Sequence, residues 1–161
     1  MSALSVDVEN EFKILQSEAK LLERAREQTV AHHDSVDEAM RWLQIAGLAA
    51  ACEKLYSGCE RIMTRLVRVL DGDGIDKTES WHKDLLNRIS NAYPGKRDAI
   101  ISPECAEGLD RFRSFRHRVR QNYGIELDEA IVLERASELT PVLDRFYEEV
   151  TRFLKHTAPR G

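Results

Sequence analysis

The sequence predicts an all-α fold, a single domain built as a bundle of four to five helices. Three observations carry this. Apolar residues recur at steps of three and four along most of the 161 residues, the period of an amphipathic helix. Only 8 Gly and 4 Pro are present, too few for the many tight turns of a β-sandwich or for a low-complexity chain. The length itself matches one domain with a core large enough to need no disulfide or metal.

In the first segment Val8, Phe12, Leu15, Ala19, Leu22 and Ala25 form one stripe on a helix from about Val6 to Thr29. Ser35 is read as the N-cap of the next run. From Val36 to Leu70 that run repeats Trp42, Ile45, Ala49, Cys52, Tyr56, Cys59, Met63, Leu66 and Leu70, with Gly47 or Ser57-Gly58 as places for a bend. Asp71-Gly72-Asp73-Gly74 stops it. A calcium loop fails there, because Ile75, Asp76 and His82 fall where an oxygen ligand, the turn Gly and the bidentate Glu belong. A short helix starts at Ser80 with Trp81, Leu85, Leu86 and Ile89 as its apolar positions, and Asn91 to Arg97 is a turn. Ser102-Pro103-Glu104 is a strong helix start, with the helix running to about Tyr123 and ended by Gly124. The last helix spans Asp128 to His156 on Leu133, Ala136, Leu139, Val142, Phe146, Val150 and Phe153. Pro141 either kinks it or lets Thr140 restart it. The domain is therefore residues 1–161, with a core of about 6–156 and a frayed tail from 157 to 161.

Composition narrows the class. Formal net charge is −4, and the three Cys form no close pair. Cys52 and Cys59 lie inside a helical apolar pattern, as core residues of a reducing compartment and not as zinc ligands. The first twelve residues are polar and acidic, unlike a signal peptide. The longest apolar stretch, Ile45 to Cys52, is far short of the ~20 residues that cross a bilayer. A cytoplasmic chain without membrane contact is expected.

One window departs from the rest. Between Arg111 and Arg120 stand five Arg and one His with no acid. On a helix, Arg113, Arg116, His117 and Arg120 share an arc of about 100°, while Phe112, Phe115 and Val119 form the buried stripe. Arg111 and Arg118 lie on its far shoulder. Like charges at Arg116 and Arg120 repel, and a polyanion would offset this, since an Arg fork binds two phosphate oxygens. His117 adds an imidazole that can take or give a proton near neutral pH. His82, after Trp81 at a helix start, reads as a structural hydrogen-bonding residue. Tyr56 and Glu60 read as core and as a buried-edge ion pair or hydrogen bond, with a role for Glu60 against the Arg face as the alternative.

Three ordered stretches carry a family resemblance: Leu55 to Ile62 on the long helix, Glu79 to Leu86, and Phe115 to Gly124. With them the chain resembles the HepT-like branch of the HEPN superfamily, ribonuclease toxins of bacterial toxin–antitoxin modules. The resemblance implies an HEPN-like helical bundle that pairs as a homodimer and cleaves RNA without metal or other cofactor. It also implies a nucleotidyltransferase-type antitoxin as partner. The family motif is Arg, four to six residues, then His. Arg111 and His117, with five between, satisfy it and are carried over as the catalytic pair, leaving Arg113, Arg116 and Arg120 as phosphate or RNA contacts. Phe112 and Val119 stand where the family has Asn and a Tyr that the antitoxin modifies. Tyr123 is the nearest candidate for that modification. The rival expectation is a non-catalytic helical module that binds a nucleotide or a protein partner.

Overall fold

A computed structural model describes residues 1–121 and 127–157. Its five α-helices are α1 (Ala3–Ala31), α2 (Glu38–Asp71), α3 (Trp81–Ser90), α4 (Pro103–Gln121) and α5 (Glu129–Thr157). Among the described residues there is no named strand, and the bundle is all-α as the periodicity requires.

α1 begins one turn earlier than the sequence suggests because the Ser2 hydroxyl accepts from the Ser5 amide, satisfying a helix-end donor. It buries Val8, Phe12, Leu15, Ala19 and Leu22, whereas Ala25 is exposed. Ser35 does not cap α2. It closes a short 3-10 turn, and Asp37 caps the helix by accepting from the Met40 amide at 2.9 Å. α2 then runs unbroken through Gly47 and Gly58 for 34 residues, about 50 Å. Gly58 has a packing role: a Cβ there would lie 2.3 Å from Leu15 Cδ2, so a larger residue would force the Leu15 side chain to move. Gly72, at φ 81°, ends the helix in the left-handed conformation.

α2 is the central helix, in contact with each of the other four. α1 and α5 pack on it and on each other, with Phe12 edge-on to Phe146 and Tyr147 at 5.2 Å. α3 and α4 cover the second half of α2. Asp71, fully buried, anchors the α3–α4 connection: Arg97 reaches it at 2.5 and 2.9 Å and Arg88 at 3.2 Å, while Lys96 bonds its carbonyl. Ser102 caps α4 as read, accepting from the Cys105 amide, and also donates to Glu149 of α5. α5 passes through Pro141 as one helix, with no restart at Thr140. Trp42, placed in the α2 stripe by its spacing, is instead 68% exposed beside exposed Leu43 and Met40. No helix among the described residues is long and apolar enough to cross a membrane.

Candidate functional site

α4 presents its stripe to the core through Cys105, Leu109, Phe112 and Phe115. Phe112 is 1% exposed and belongs to the apolar interior. Val119 is half-buried. The five arginines do not form one free cationic face. Arg111 leans to α5, its Nε 3.4 Å from Glu138, and Arg113 donates to Asp110 at 2.6 Å along its own helix. His117, Arg118 and Arg120 are exposed, and no carboxylate of the described residues lies within ion-pair distance of them. No hydrogen bond links Arg111 to His117 among the described residues, as their different helix faces require. Tyr123 lies outside the described residues.

Arg116 departs from the expected phosphate role. It sits on the edge of the stripe, about 40° from Phe112 around the helix, and its side chain turns into the bundle with 6% exposure. There Nη1 donates to Glu60 Oε1 at 2.7 Å and to the Ser57 hydroxyl at 2.9 Å. Its guanidinium carbon lies 4.8 Å from the centre of the Tyr56 ring, a cation–π distance. The opposite edge of Glu60 meets α3, with Oε2 2.6 Å from His82 Nδ1. Trp81 and His82 stack with centroids 3.7 Å apart.

The chain thus gathers Ser57 and Glu60 of α2, His82 of α3 and Arg116 of α4 at one junction. Three helices are joined by charge-assisted bonds in a place shielded from water, where such bonds are strong. The Tyr56 hydroxyl is buried beside them with no hydrogen-bond partner among the described residues. Burial first, and the Glu60 carboxylate second, push its phenol well above the usual range, so it stays protonated and is a donor. Glu60 had a visible signal: it lies one turn from Tyr56 on a core-facing helix, and an acid there needs a partner. The Arg face was the alternative read for Glu60, but that Arg116 would be the arginine to meet it was not visible, because its charge matched the solvent-facing neighbours on the wheel.

Among the described residues no cluster of three or more His, Cys, Asp or Glu could hold a metal ion. Of the comparisons with known proteins, a family model described as HepT-like protein matches residues 47–157. The chain belongs to the HepT-like family. That match covers most of α2 and all of α3, α4 and α5, which are the helices that build both the Glu60 junction and the His117 surface. No curated protein and no solved structure matches the chain.

Proposed function

We propose that this HepT-like protein is a metal-independent endoribonuclease, the toxin of a bacterial type II toxin–antitoxin module. The observation that carries the reading is His117 standing in solvent beside Arg118 and Arg120 on the motif helix of a HepT-like chain. In this reading two copies of α4 face each other across a homodimer, so that Arg111 of one or both subunits and His117 converge on one phosphodiester. The His117 imidazole serves as a general acid or base in the transfer, and Arg111 stabilises charge on the phosphorane-like transition state. Arg113 and Arg120 hold flanking phosphates; Arg116, buried on Glu60, is left out of that set. A nucleotidyltransferase antitoxin restrains the toxin, and Tyr123 is its proposed target.

The test is expression of the chain alone in a bacterium, beside His117→Ala, reading growth and total RNA. Wild type is expected to arrest growth with fragmented RNA, and the variant to do neither. A non-catalytic binding module is the second reading, favoured by the pairing of Arg111 with Glu138 and Arg113 with Asp110. Harmless expression of the wild type supports it.

A further inference from the structure

The junction at Glu60 has the parts of an oriented imidazole. Two groups crowd His82 Nδ1: Glu60 Oε2 at 2.6 Å and Arg116 Nη2 at 2.8 Å. One ring nitrogen cannot donate to a carboxylate and accept from a guanidinium at once. Arg116 is already satisfied through Nη1 by Glu60 and Ser57. The carboxylate can only accept, so Nδ1 carries the proton and donates to Glu60. Nε2 is left as the acceptor, on a side chain 31% exposed, and no hydrogen bond of the described residues occupies it. A histidine that served only to neutralise Glu60 would be redundant, because Arg116 does so alone. The unpartnered Tyr56 hydroxyl adds a donor in the same junction.

We propose that His82 is a second proton-transfer group of the ribonuclease site, with Glu60 and Arg116 as its positioning residues. This rests on the endoribonuclease reading above. Arg116 touches His82 and directly precedes His117, so the two imidazoles flank the same turn of α4, His82 on its buried side and His117 on its solvent side. His82 Nε2 takes the 2′-hydroxyl proton of RNA, the 2′-oxygen bonds to phosphorus, and the bond from phosphorus to O5′ breaks. In the homodimer of that reading, a protonated His117 delivers a proton to O5′. The products are a 2′,3′-cyclic phosphate and a 5′-hydroxyl end, and both rings return to their starting states by exchange with water. Glu60 offsets the charge His82 acquires, in the way a buried carboxylate orients and supports a catalytic imidazole. Half-buried Trp81 stacks on the His82 ring at 3.7 Å and helps fix its plane, and Lys77 Nζ, 5.1 Å from the Trp81 ring centre, adds positive charge beside it.

The experiment uses the full chain and a fluorescently labelled single-stranded RNA oligonucleotide in excess EDTA. His82→Asn keeps an amide N–H where Nδ1 stands but has nothing at Nε2. It is expected to melt with wild type, to bind the oligonucleotide within about twofold by anisotropy, and to cleave it about 100-fold or more slowly. Cleavage by His82→Asn within about threefold of wild type overturns the proposal. Added imidazole is expected to restore part of the cleavage lost in His82→Ala, a recovery that a structural role does not give, and no recovery counts against the proposal. If wild type and His82→Asn both cleave while His117→Ala does not, only this proposal falls. If wild type leaves the RNA intact, the endoribonuclease reading falls and this one with it.

Discussion

At the scale of residues, Arg116 shows how far a helical wheel reaches. The wheel separates Phe112 and Phe115 from Arg120 well, and both phenylalanines are buried. It fails at the boundary, where a long side chain on the edge of the stripe can turn inward if a carboxylate waits there. Glu60 was that carboxylate, and only its place in a buried stripe hinted at it. The pair makes a sharp energetic statement. Arg116→Ala leaves Glu60 buried at 6% exposure with only the His82 N–H beside it. Removing one partner of such a pair costs about 3–5 kcal/mol, to be read as a lower urea midpoint. Glu60→Leu combined with Arg116→Met removes both charges and is expected to recover most of that loss. A double variant no more stable than Arg116→Ala would show that the junction is held by packing and not by charge balance.

At the scale of elements, all five helices were legible, because each carries a stripe of the right period and the bundle has no other way to bury them. The ends were less so. Ser35 and Asp37 are both good caps, and the intervening 3-10 turn decides for Asp37. Pro141 is the clearer case. It removes an amide donor from α5, at a cost of about 3 kcal/mol in a helix interior, yet the helix continues. Leu139 and Leu143 are buried on either side of it in the same core, and burying two such side chains contributes about 1.5–3 kcal/mol each. Local propensity loses to packing. Since Pro141 itself is exposed, Pro141→Ala has no packing to lose and is expected to stabilise the chain by about 1–3 kcal/mol. Thermal melting checks this, and an unchanged or lower melting temperature would contradict it.

At the scale of the whole molecule, the interior is a single apolar core with three thiols inside it. Cys52, Cys59 and Cys105 are buried, and burial pushes each thiol up to about 12 from 9.0. In the unfolded chain the thiols ionise above about 9, releasing protons that the folded chain keeps. Their contribution is therefore complete below pH 9 and is lost as the pH rises from 9 towards 12. Denaturant midpoints are expected to fall across that window. At pH 8 a thiol reagent is expected to label none of the three until the chain is unfolded; rapid labelling of the native protein would mean that the core is open.

The core and the architecture could be read from composition and period, and family membership from three short stretches. The division of the arginines could not be read this way, because it depends on which acids the fold brings to α4: Glu60 from α2, Glu138 from α5 and Asp110 from α4 itself. Those pairings leave His117, Arg118 and Arg120 as the exposed cationic end of the helix, and the function proposed here depends on that end. The direct measurement is the chemistry of RNA ends after incubation with purified chain in excess EDTA, with His117→Ala purified alongside. The expected result is fragments with 2′,3′-cyclic phosphate and 5′-hydroxyl ends from wild type, and intact RNA from the variant. Equal cleavage by both proteins, or intact RNA from both, would contradict it.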